Sequence, residues 1–107
     1  MTAYVVARIR IHDRDRYDRY AAAFMPVLIR YGGRLLAADE APVPLEGAWD
    51  GGKLNIISFP DEAAARRWLG SEEYRAIAVD RLAASDGIVL LVHGFDAKAG
   101  PSPDPSE

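Results

Sequence analysis

The sequence predicts one α+β domain whose elements run β-α-β-β-α-β. Three observations carry this: a period-two alternation opens the chain, three more β-rich runs follow it, and helical stripes with their own caps lie between them. The chain has 107 residues, half of them apolar, which suits one core and makes two domains improbable on size alone.

From Tyr4 to Ile11 the run YVVARIRI is rich in β-branched residues. It sets Tyr4, Val6, Arg8 and Arg10 against Val5, Ala7, Ile9 and Ile11. The purely apolar set should meet helices, leaving the mixed set for a partner or a cavity. Asp13 then suits a helix N-cap, because its carboxylate can accept from first-turn amides. Tyr17, Tyr20, Ala21, Phe24, Leu28 and Tyr31 recur at helical spacing, and Gly32-Gly33 supplies the stop. Pro26 lies inside this pattern, so a kink near Ala22 to Phe24 is expected.

Arg34 to Asp39 reads as a second strand, and the prolines after it suggest an edge or a bulge. Turn-like Trp49-Asp50-Gly51-Gly52 leads into a third strand, Lys53 to Phe59. Pro60-Asp61 opens a short helix carrying Ala65 and Trp68. Gly70 closes it, and Ser71 caps another whose first turn holds Glu72 and Glu73, as the positive helix start favours. On that helix Tyr74, Ile77, Ala78, Arg81 and Leu82 share a stripe. Asp86-Gly87 reads as the turn into a fourth strand, Ile88 to Gly94. This order is the ferredoxin-like one, a four-stranded antiparallel sheet with helices on one face. Residues 1–95 form the expected domain, and the Pro- and Ser-rich residues 96–107 an expected disordered tail.

With no cysteine in the chain, disulfides, thiolate metal sites and cysteine nucleophiles are excluded, and a reducing cytoplasm is the expected home. The N-terminus lacks a signal-peptide pattern, and no apolar run approaches the roughly 20 residues of a membrane span. A net charge of −3 gives no footprint for nucleic acid or anionic membrane. Neither a nucleophile elbow, a Walker loop nor a dinucleotide fingerprint is present. The two histidines, His12 and His93, end the first and fourth strands. They fall short of a usual metal set, and no metal or cofactor is expected.

With the elements placed, the sequence resembles the bacterial domain-of-unknown-function family 1330, of the dimeric α/β-barrel superfamily. The resemblance rests on Asp13 to Tyr17 with Tyr20, Gly32-Gly33-Arg34, Leu45-Glu46-Gly47, Phe59-Pro60, Ala65, Trp68, Ser71, Glu73-Tyr74, Arg81 and Leu91 to Gly94. It covers about Thr2 to Phe95 and implies a homodimer and no assigned activity. The family's acidic residue before the last glycine is replaced by His93, and Ser58 stands where its third strand often carries an acid. Related barrels include cofactor-free monooxygenases, isomerases and haem enzymes, so fold alone does not choose a function.

Arg81 is the sharpest local conflict, a guanidinium on a stripe that should be covered, and it needs acceptors. Glu46 or Asp86 could pair with it structurally, or Arg81 could anchor an anionic ligand. Tyr17, Tyr20, Tyr31 and Tyr74 suit either core edges or an aromatic pocket wall, the wall role falling first to Tyr17 or Tyr74. Asn55 and His93, with the mixed face of strand one, could line a small-molecule site or a dimer interface. The candidate ligand-binding residues are therefore Arg81, Tyr74, Glu46, Tyr17, His93 and Asn55. The leading functional reading is a homodimeric domain that binds a small apolar or anionic molecule or is purely structural. Its alternative is a cofactor-free monooxygenase- or isomerase-like enzyme acting on a small aromatic or carbonyl compound. A closed apolar cavity larger than a water with Arg81 or His93 pointing into it would favour the enzyme, and a filled interior would favour binding or structure.

Overall fold

A computed structural model of the chain describes residues 1–95, so the expected tail lies outside the described residues. The elements are β1 (Ala3–Ile11), α1 (Arg14–Arg30), β2 (Arg34–Asp39), β3 (Lys53–Phe59), α2 (Glu62–Gly70), α3 (Glu72–Ala84) and β4 (Ser85–His93). The sheet order is β2-β3-β1-β4 with every neighbouring pair antiparallel, the arrangement the element order predicts.

The caps act as the sequence implies. Asp13 accepts from the Arg16 amide at 3.2 Å, Asp61 from the Ala64 amide at 2.8 Å, and Ser71 from the Tyr74 amide at 3.0 Å. Each answers one of the unpaired amides of a first helical turn. Helix α1 runs unbroken through Pro26. Gly32 has φ +81°, and Gly33 leaves no space for a side chain, since a Cβ there would lie 2.3 Å from Leu28 Cδ1 and 2.9 Å from the Phe59 ring.

One boundary differs from expectation. Strand β4 begins at Ser85 rather than Ile88, because the His12 and Asp13 amides both donate to the Ala84 carbonyl and bring the end of α3 onto the end of β1. Asp86 and Gly87 then pair with Arg10 and Ile9 as strand residues. Leu82 is exposed and Val27 buried, so both helical stripes rotate slightly from their predicted centres. Strand β2 is an edge strand with an irregularity between Leu35 and Ala37.

Ala3, Val5, Ala7 and Ile9 are buried against the helices, as alternation requires. Register carries Asn55 and Ile57 to this same face, since they pair with Ala7 and Val5. The expectation that Asn55 joins the mixed face is thereby corrected. His93 pairs with Ala3 and lies on the helix side as well, at one end of the sheet. His12 is at the other end, because β1 and β4 are antiparallel.

Between sheet and helices sits an aromatic cluster. Trp68 packs against Phe24, Phe59 and Tyr74 with ring centroids 6.1, 5.4 and 4.3 Å away. Helices α1 and α3 are joined by Arg16–Asp80 at 3.0 Å, by Arg30 with Glu73, and by the Tyr31 hydroxyl donating to Glu73 at 2.8 Å. The opposite sheet face carries no helix, and on it Tyr4, Val6, Leu54 and Ile56 are half-buried while Leu90 and Val92 are exposed.

Candidate functional site

Two adjoining voids lie between α1 and the sheet, with Tyr20, Phe24 and Asn55 as shared walls. The outer one is a groove of about 100 Å³ to which Tyr17, Leu35 and Lys53 also contribute. The inner one, about 10 Å³, reaches Trp68, Tyr74 and Arg81, and such a volume is about what one water requires.

The inner void is polar in an apolar setting. Tyr20 and Tyr74 share a hydrogen bond of 3.0 Å between their hydroxyls. The Asn55 amide oxygen, Trp68 Nε1 and Arg81 Nε are buried without a protein partner. Buried polar atoms are nearly always paired, and each that is not costs about 1–3 kcal/mol. Three such atoms around one void mark a place where an additional group would be favourable. Tyr20 cannot serve as a base there: burial first, then Tyr74 beside it, push its hydroxyl far above the usual tyrosine range. It remains a neutral donor and acceptor.

Of the six residues singled out from sequence, Tyr17 and Asn55 meet in the groove, and Asn55, Tyr74 and Arg81 meet at the inner void. Glu46 and His93 do not join them. Glu46 is exposed in the loop 40–52. His93 is exposed and hydrogen-bonds the Glu62 carboxylate at 2.8 Å. That hydrogen bond, with a second from Arg66, holds the Glu62 carboxyl below its usual range.

Arg81 is half-buried rather than mostly buried, and the expected ion pair with Glu46 or Asp86 does not form. The reason is topological. Asp86 pairs with Arg10 on the face that carries no helix, so the sheet lies between it and α3, and its carboxylate approaches His12 instead, at 4.0 Å. Arg8 and Arg10, on that same face, share Asp50 at 2.9 and 2.7 Å.

A buried ion pair would make Arg81→Ala cost about 3–5 kcal/mol. With no carboxylate partner, we expect urea unfolding of Arg81→Ala to show a loss under about 1 kcal/mol, because an unpaired donor is removed along with its alkyl packing. A loss of 3 kcal/mol or more would reveal a strong partner for the guanidinium.

Two residues of the site escape sequence reasoning. Trp68 reads there only as a helix anchor, which it also is, whereas Tyr20 reads as core or pocket wall and serves as both. Lys53 reads only as the start of a strand, yet its ammonium lies 5.1 Å from the centroid of the Tyr17 ring at the groove. Alternation counted from Asn55 would have placed it on the same face.

Among the described residues no three His, Asp or Glu side chains gather as metal ligands, and no helix is long and apolar enough to cross a membrane.

Comparison with solved structures shows the fold. A protein of unknown function from Rhodopseudomonas palustris superposes with TM-score 0.74 at 19% identity, over 89% of this chain and 83% of that one. SnoaB, a cofactor-independent oxygenase from Streptomyces nogalater, gives TM-score 0.65 at 18% identity over 92% and 98%. A dimeric ferredoxin-like protein of unknown function from Jannaschia gives 0.65 at 12% over 88% and 100%. No curated protein matches significantly. The family described as Domain of unknown function (DUF1330) matches residues 2–95, a span that takes in every strand and helix above, and the chain belongs to that family.

Proposed function

We propose that this protein is a homodimeric, cytoplasmic domain that binds a small planar molecule in the groove between α1 and the sheet. The observation that carries the reading is the Asn55 amide oxygen, buried without a partner where the groove meets the inner void. A ligand whose ring lies among Tyr17, Phe24 and Leu35, with a hydroxyl turned to Asn55, would bury apolar area and satisfy that oxygen at once. The hydroxyl both donates and accepts, so it suits the amide in either orientation.

Isothermal calorimetry with 4-methylphenol tests this. Saturable binding is expected, weakened about tenfold in Asn55→Ala, as loss of one buried hydrogen bond implies. Binding unchanged in Asn55→Ala would place the phenol elsewhere and remove the reading.

The similarity to SnoaB and the presence of Arg81 at the inner void favour a second reading, oxygenation without a cofactor. In that chemistry the bound phenol supplies the electrons: one atom of O₂ becomes a ring carbonyl and the other leaves as water. The Arg81 guanidinium would stabilise the phenolate that must form first. The void is no larger than a water, however, and a void larger than that was the feature that would distinguish an enzyme, so binding stands first. Protein-dependent O₂ uptake with a catechol, abolished in Asn55→Ala, would reverse that order. No uptake would leave binding alone.

The homodimer rests on the sheet face without helices. Two half-exposed apolar faces of this kind are hidden most simply against each other about a two-fold axis, and dimeric ferredoxin-like neighbours support the same assembly.

A further inference from the structure

We propose that the groove's occupant is an anionic hydroxyaromatic molecule, a para-hydroxylated aromatic acid in kind, with Lys53 holding its carboxylate and Asn55 its hydroxyl. This rests on the groove being a binding site and adds the occupant's charge and a specificity residue.

Lys53 and Asn55 lie two residues apart on one strand, on the face that packs against α1. Side chains so placed leave the strand about 6.5–7 Å apart on one face, so the two polar groups bound the groove at different points along it. The polar ends of the groove differ in kind. At one end is an amide oxygen that is buried, with Asn55 only 7% exposed, and that lacks a donor. At the other is an ammonium for which no ion pair forms among the described residues. Glu40, whose carboxyl feels the Lys53 charge, is already held by Arg14 through two hydrogen bonds of 2.6 and 3.0 Å. The Arg14 bonds also keep the Glu40 carboxyl below its usual range.

Lys53 instead rests over the Tyr17 ring, a contact that fixes its position without neutralising it. A fixed, half-buried cation beside an aromatic wall favours an anion attached to a ring over an inorganic ion, which would leave the wall uncovered. Size agrees. A cavity of roughly 150 Å³ encloses benzene, so a groove of about 100 Å³ holds one ring with an edge left in solvent. With a net charge of −3 on the chain, the selection of an anion is local to Lys53.

Calorimetry with 4-hydroxybenzoate and its methyl ester, on wild type, Lys53→Met and Asn55→Ala, tests the proposal. The acid should bind wild type about tenfold tighter than the ester, the scale of one charge-assisted contact. In Lys53→Met that preference should vanish while ester binding is retained. Circular dichroism should report an unchanged fold. Acid and ester binding equally to wild type, with both weakened in Asn55→Ala, would overturn the anion assignment and leave the groove as a site for neutral phenols. Absence of binding by either compound would overturn the groove reading together with it.

Discussion

Trp68→Ala should lower the stability of the protein by about 3–5 kcal/mol, the cost of deleting a fully buried tryptophan. Trp68 is 2% exposed and is the one ring that touches α1, β3 and α3 together, through Phe24, Phe59 and Tyr74. Its removal therefore opens a cavity that three elements would have to move to fill. Against a total of about 5–15 kcal/mol for a small domain, the variant should unfold at a much lower urea concentration. Trp68→Phe separates packing from hydrogen bonding, because it keeps a ring and removes only Nε1 with part of the volume. Since that nitrogen has no protein partner, Trp68→Phe should cost clearly less than Trp68→Ala. Equal losses in the two variants would mean that Nε1 has a strong partner in the folded protein.

Leu90→Glu should convert the proposed dimer to monomer. Leu90 pairs with Val6 across β4 and β1, faces away from the helices and is 53% exposed in a single copy. A carboxylate there is harmless to the isolated fold, as most exposed substitutions are within about 0.5 kcal/mol. In a sheet-to-sheet dimer the same group would be buried without a partner on each subunit, at a cost of several kcal/mol per charge. Light scattering at tens of micromolar should give twice the chain mass for wild type and the chain mass for Leu90→Glu, with unchanged far-ultraviolet dichroism. A monomeric wild type would remove the dimer, and a dimeric Leu90→Glu would move its interface off this face.

The two experiments address opposite faces of the sheet and so are independent. The groove and inner void lie on the helix side, and the proposed interface lies on the other. Disruption of the dimer is thus expected to leave phenol binding intact.

Much of this architecture follows from short-range sequence features. Strand one's alternation, the caps at Asp13, Asp61 and Ser71, and the stops at Gly32 and Gly70 fix where elements begin, end and turn their apolar sides, because each depends on residues within one or two turns of the chain. The family resemblance over Thr2 to Phe95 drew on the same local landmarks. Register between distant strands is another matter. Only the pairing of Asn55 with Ala7 and of Lys53 with Ile9 decides that these polar side chains face α1 rather than the open side. A shift of one residue would reverse them. The partner of Arg81 was likewise decided by the sheet itself, which separates α3 from Asp86. The chain's own spacing thus placed Tyr17, Tyr74 and Arg81 on covered helix faces, and tertiary structure alone joined them to Asn55, Trp68 and Lys53, since a site assembled across a sheet and two helices depends on contacts that no local pattern encodes.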